Sequence, residues 1–92
     1  MLNLKKIPTN PGCYLFKDSK ARIIYVGKAK NLKKRINSYF QKKNLDLKTQ
    51  SMLSYIKDLD FVVTDNEVEA LVLENTLIKK YQPKYNVRLK DA

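Results

Sequence analysis

Gly12-Cys13-Tyr14-Leu15-Phe16-Lys17, then Asp18-Ser19-Lys20-Ala21, then Arg22-Ile23-Ile24-Tyr25-Val26-Gly27 is the stretch whose reading decides the fold. Two short runs rich in aromatic and β-branched residues flank four small or polar ones, the pattern of two strands joined by a hairpin. A turn centred on Ser19-Lys20 sets Tyr14 opposite Tyr25. Upstream, the linker-like Pro8-Thr9-Asn10-Pro11-Gly12 leads into the first strand. Downstream, Asn31 stands as the N-cap of a helix running to about Phe40, with Leu32, Ile36, Tyr39 and Phe40 as its apolar stripe and Lys33, Lys34 and Asn37 facing away. A second helix, from about Leu47 to Lys57, carries Met52, Leu53 and Ile56, and Asp60-Phe61-Val62-Val63-Thr64 reads as a third strand. Thr64 and Glu67 have capping-box spacing and open a last helix that reaches Tyr81 before Pro83 stops it. An extended piece around Asn86-Val87-Arg88-Leu89 is expected to return to the body. The order β-β-α-α-β-α predicts an α+β domain, a small, mainly antiparallel three-stranded sheet flanked by helices.

Ninety-two residues hold one core, so residues 1–92 are read as a single domain with no room for a second catalytic unit. Nineteen Lys and Arg against nine Asp and Glu give a formal charge of +10, which on so small a body calls for a polyanionic partner, nucleic acid before membrane surface. The charge is also unevenly placed. Between Asp18 and Asp46 there is no acid, while Lys20, Arg22, Lys28, Lys30, Lys33, Lys34, Arg35, Lys42 and Lys43 all fall there; acids gather from Asp58 to Glu74. No segment has the length and apolarity of a signal peptide or a membrane span, so an interior, reducing, cytoplasmic setting without membrane partners is the expectation. Cys13, the one cysteine, lies in an apolar run and reads as core packing.

No histidine is present, which removes His-based triads and histidine-rich metal sites and leaves carboxylate, tyrosine, lysine or a metal to drive any hydrolysis. No P-loop is present either, because Gly27-Lys28 is followed by Ala29. The odd residue is Glu74. Its neighbours at helical spacing are Ala70, Leu71, Leu77 and Ile78, which set a carboxylate on the packed side of the last helix. A buried charge needs compensation, so Glu74 either pairs with Arg35 or Lys28, sits wetter at the rim of a cleft, or holds a metal ion. If a metal, then Mg2+ or Mn2+, hard cations that keep several waters and accept a single protein carboxylate. From Tyr25 to Arg35 the chain passes from strand through a tight glycine into a basic helix, a place to receive phosphate. Lys28, Lys30, Lys33, Lys34 and Arg35 are the candidate nucleic-acid contacts; Arg35 flanks the apolar stripe, and its fork suits bidentate phosphate binding.

Gly12-Cys13-Tyr14, Tyr25-Val26-Gly27-Lys28, Arg35, Tyr39, Glu74 and Lys84-Tyr85-Asn86 resemble the successive motifs of the GIY-YIG nuclease superfamily, over nearly the whole chain. Cys13 and Val26 replace the isoleucines of the superfamily pattern. More narrowly, Pro11-Gly12-Cys13-Tyr14, Ile24 to Leu32, Glu69 to Glu74, Leu77 to Tyr81 and Pro83 to Val87 resemble the N-terminal endonuclease domain of the UvrC family of excinuclease subunits. The resemblance implies one divalent ion on Glu74, Tyr25 as the base toward the attacking water, Tyr14 supporting it, Lys28 and Arg35 on the scissile phosphate, Tyr39 orienting it, and Asn86 bonding near metal or substrate. Neighbouring Lys28, Arg35 and the metal are what would bring the Tyr25 phenol down from about 10. It implies incision of damaged double-stranded DNA on the 3′ side of a lesion in nucleotide excision repair, after UvrB has placed the DNA. The chain is then expected to be a monomeric domain of a longer protein. The competing reading is a non-catalytic module that docks nucleic acid or protein through its charge.

Overall fold

The computed structural model describes residues 6–41 and 45–86. Its elements are β1 (Gly12–Lys17), β2 (Ile23–Ala29), α1 (Leu32–Gln41), α2 (Leu47–Tyr55), β3 (Asp58–Val63) and α3 (Glu67–Tyr81), in the order the residue pattern predicts. The strands form one antiparallel sheet ordered β2-β1-β3. β1 lies in the middle, paired along both edges, with α1 on one face and α3 on the other, and Gly12 to Phe16 are all buried. Alternation along the strand then divides the molecule. Tyr14 and Phe16 point into the main core with Leu32 and Ile36 of α1 and Met52 and Ile56 from α2 and its end. Cys13 points the other way, to α3, where its Sγ donates to the Ala70 carbonyl oxygen at 3.1 Å.

The hairpin departs from the expected pairing. Asp18 accepts from the backbone N–H groups of Lys20 and Arg22, and Ala21 adopts a left-handed φ of 61°, so the turn is wider than a two-residue one. The register moves by two residues: Tyr14 faces Gly27 and Tyr25 faces Phe16, with an irregularity between Phe16 and Lys17. A shift of two preserves side-chain parity, and both phenols stay on the same face. Gly27 is not a turn residue. It lies inside β2 because the Tyr14 ring crosses it; a Cβ there would come within 2.3 Å of the phenol.

Asn31 caps α1 as expected, its Oδ1 accepting from Lys34 N–H at 3.0 Å. The linker carbonyls of Pro8 and Asn10 take the N–H groups of Lys33 and Leu32. Asn37 does not face away: it is partly buried, and its Oδ1 has no partner among the described residues. α2 stops at Tyr55, earlier than Lys57. The cap of α3 is Asn66, not Thr64; Asn66 Oδ1 accepts from Glu69 N–H, and the Glu69 carboxylate reaches back to Asp65 N–H. The cap lies two residues downstream, with the Glu69 carboxylate taking the N–H before it rather than that of Asn66, because Thr64 is buried at the strand end with its hydroxyl donating to Asn66 O. Beyond α3, Gln82 takes a left-handed conformation and Lys84 to Asn86 form a helical turn, so that Asn86, the first residue of the expected extended piece, is helical. Val87, Arg88 and Leu89, like Lys42 and Lys43, lie outside the described residues. No helix among the described residues is long and apolar enough to cross a membrane.

Candidate active site

β2 is an edge strand, so alternate residues turn N–H and C=O groups outward with no strand to receive them. Two side chains distant in sequence meet that need. Asn86 Oδ1 accepts from Val26 N–H at 2.7 Å and its Nδ2 donates to Val26 O at 2.8 Å, all buried. Two residues on, Glu74 Oε2 accepts from Lys28 N–H at 3.0 Å. Glu74 is therefore neither deeply buried nor ion-paired. It is partly buried at the rim, and among the described residues neither Arg35 nor Lys28 makes a salt bridge to it. Of its helical neighbours, Ala70 is buried and Leu77 and Ile78 partly so, but Leu71 is exposed.

On the α1 face of the sheet three tyrosines converge. Tyr14 and Tyr39 share a hydrogen bond between their hydroxyls at 2.8 Å, and Tyr25 lies with its ring centroid 6.1 Å from that of Tyr14. The Arg35 guanidinium stands 5.3 Å from the Tyr39 ring centroid, a cation–π contact one helical turn away. The neighbouring Tyr14 hydroxyl, above all, holds Arg35 further into its charged range. Burial, followed by Tyr39, pushes the Tyr25 phenol well above the ordinary tyrosine range; Arg35 pulls the other way, and Glu74 adds to the rise. Tyr14, more deeply buried and next to Tyr39, is raised further. The lowering anticipated from Lys28 and Arg35 is thus outweighed by desolvation in the protein alone. Burial raises the Cys13 thiol to about 11, with Glu74 contributing in the same direction, which agrees with a packing role.

Lys28, Lys30, Lys34 and Arg35 line one open cleft of about 470 Å3 with Asn31 and Ser38, next to Glu74. Lys30 is within 3.9 Å of Glu67, and Lys33 is exposed outside that lining. The structure therefore brings Tyr14, Tyr25, Tyr39 and Arg35 together and sets Lys28 and Glu74 on the adjoining strand edge. Asn86 is bonded to Val26, between Tyr25 and Lys28 on the same strand, its amide committed to that backbone. That commitment was missed at the sequence level because edge-strand hydrogen bonding depends on which strand is outermost. Ser38 was missed too; it is an ordinary helix residue whose only signal is its place one turn after Arg35.

A divalent ion fits this arrangement. Among the described residues no three Cys, Asp or Glu side chains converge, so the available ligand is one carboxylate. Oε2 of Glu74 is oriented by Lys28 N–H, and among the described residues no side-chain cation pairs with the carboxylate, an arrangement that offers Oε1 to a hard cation that keeps its remaining waters.

The model for the UvrC-like GIY-YIG domain matches residues 10–87. The UvrABC system protein C of Methanococcus maripaludis is 63% identical over the whole chain, and that of Methanospirillum hungatei 62% identical over 99% of it. The chain spans 18% of the length of each of these relatives. The crystal structure of the GIY-YIG N-terminal endonuclease domain of UvrC from Thermotoga maritima, bound to its catalytic divalent cation, magnesium, superimposes with a TM-score of 0.78 at 40% identity, covering 89% of either chain. Point variants of that domain, three tyrosine-to-phenylalanine and one asparagine-to-alanine, also hold the cation. With the sheet, the tyrosine cluster and the edge-bound glutamate in place, the chain belongs to the UvrC-like GIY-YIG domain family, a family of metal-dependent endonucleases.

Proposed function

We propose that this domain hydrolyses a phosphodiester bond of damaged double-stranded DNA, making the 3′-side incision of nucleotide excision repair with one Mg2+ or Mn2+ on Glu74. The observation that carries the reading is the Glu74 carboxylate, held by Lys28 N–H on the open edge of β2 beside a tyrosine cluster and a basic cleft. The metal supplies Lewis-acid stabilisation of the charge that develops on the phosphate and leaving oxygens. The chain's own groups do the rest. Lys28 and Arg35 draw the scissile phosphate into the cleft, and Arg35, held over Tyr39, presents its fork with little reorganisation. Tyr39 and Tyr14, joined through their hydroxyls, set the position of the phosphate and of Tyr25. Tyr25 Oη accepts the proton of the attacking water. Its phenol is raised in the protein alone, so this step depends on positive charge that the cation and Arg35 bring against the effects of burial. Asn86 acts by holding β2 in place through Val26. Lys30, Lys33 and Lys34 supply sequence-independent attraction to the DNA backbone.

The cation-bound relatives carry variants at three tyrosines and one asparagine, the same residue types gathered here, which supports this division of roles. The relatives' place in the UvrABC system supports UvrB as the partner that loads the DNA and the cytoplasm as the place of work. The test is incision of a lesion-bearing duplex with UvrB and magnesium. Replacing Glu74 by Ala is expected to slow 3′ incision by about a thousandfold. Manganese titration followed by NMR should broaden the Lys28 amide signal in the native chain and not in the variant. Unchanged cutting by Glu74→Ala would end the proposal.

A further inference from the structure

The six tyrosines of the chain fall into two groups of three. Tyr14, Tyr25 and Tyr39 belong to the site above. Tyr55, at the end of α2, Tyr81, at the end of α3, and Tyr85, in the turn that follows, line a separate cavity of about 570 Å3 beside the β1–β2 turn. We propose that this cavity is a second substrate site, which receives an unstacked base of the DNA strand that the cleft holds; its ligand class rests on the endonuclease reading.

The volume lies within the range of small-molecule sites, on the order of 300–1,000 Å3. Tyr85 forms the floor: it is buried, and its hydroxyl bonds with Ser51 Oγ at 3.1 Å. Tyr55 and Tyr81 are 55% and 43% exposed, ring surface that the protein core leaves uncovered. A single exposed tyrosine is unremarked on any surface, but two opening on one cavity above a third make a stacking surface, and every base has a π face to offer it. Cations are already stationed there. Lys84 Nζ stands 6.0 Å from the Tyr55 ring centroid and 5.9 Å from that of Tyr85, and Arg22 lines the same cavity. The acid in the wall, Asp18, accepts from Lys20 N–H, Arg22 N–H and the Arg22 guanidinium, so its charge is compensated. Rings for a base with cations for its phosphate match a nucleotide better than a purely apolar ligand.

The cavity is also placed to share a strand with the catalytic cleft. Along β2, Ile24 lines the cavity, Val26 is held by Asn86, and Lys28 is held by Glu74. Four residues of strand rise about 13 Å, close to the rise of about four stacked nucleotides. A base leaving the stack a few nucleotides from the cut phosphate meets the tyrosine cavity.

The experiment uses the 92-residue chain in EDTA. Thymidine 5′-monophosphate should shift the ring resonances of Tyr55 and Tyr81, and inorganic phosphate at equal concentration should not. The double variant Tyr55→Ala/Tyr81→Ala should bind fluorescein-labelled oligothymidine about tenfold more weakly or worse, whereas Tyr55→Phe/Tyr81→Phe keeps the rings and the affinity. Circular dichroism of both variants checks that the fold is intact. Native affinity in a folded double-alanine variant, or phosphate displacing the nucleotide as well as thymidine monophosphate does, would overturn the proposal. The readout needs neither metal nor cleavage, so a failed Glu74→Ala incision test leaves this result standing, and the reverse.

Discussion

A single phenol illustrates how far residue type constrains chemistry here. Burial, followed by Tyr39, raises Tyr25 against the opposing pull of Arg35, so the neutral form dominates throughout the neutral range and the reactive phenolate grows about tenfold for each unit of rising pH. Incision should therefore climb with pH from about 7 to 9, and Tyr25→Phe should be slower by about 10² to 10⁴ with that climb removed. Rates of 3′ incision across pH check it; an alkaline limb that survives in the variant would move the base elsewhere. Gly27 makes the complementary case, since it matters for what it lacks. With Tyr14 Cζ and its hydroxyl oxygen 2.3 Å from any added Cβ, Gly27→Ala must push the ring aside, part Tyr14 from Tyr39, and destabilise by about 1–3 kcal/mol. Thermal unfolding and incision should fall together. Both residues were legible as motif positions in the sequence. Their physical reasons were not, because a ring crossing a glycine on the neighbouring strand depends on a register that the turn sets.

Among the elements, β2 carries most of the site, and its open edge is what organises it. Val26 and Lys28 turn backbone groups outward, and Asn86 and Glu74 receive them from segments 60 and 46 residues away. Asn86→Ala leaves a buried N–H and C=O on Val26 without partners, which should cost about 2–4 kcal/mol and lower Tm by on the order of 10 °C or more for a domain of this size. Differential scanning calorimetry measures it, and a variant with native Tm and abolished incision would instead make Asn86 a direct contact to substrate or metal. Periodicity and caps located all six elements, with ends off by a residue or two. The error in the α3 cap has a simple origin: Thr64 and Asn66 are both good caps, and the end of β3, which buries Thr64, decided between them.

Across the whole molecule, charge separates into a basic cleft along β2 and α1 and an acid-rich stretch from Asp58 to Glu74 that contains no Lys or Arg. DNA binding should weaken steeply with salt, and replacing Lys33 and Lys34 by Ala should reduce the log–log salt slope by about 0.9 for each phosphate that is no longer neutralised, without change in sequence preference. Fluorescence anisotropy at several salt concentrations tests it, and an unchanged slope would remove α1 from the DNA face. Glu74 shows where the two levels of information divide. Its spacing among apolar residues marked it as a charge in need of compensation, and Tyr14, Tyr25, Arg35 and the strand-and-helix order were likewise open to reading, because periodicity and residue chemistry are local properties. Whether that charge was met by Arg35, by Lys28 or by something else was not local. Tertiary structure decided it by making β2 an edge strand, so that among the described residues an outward-facing backbone N–H, and not a side-chain cation, holds one oxygen of the carboxylate.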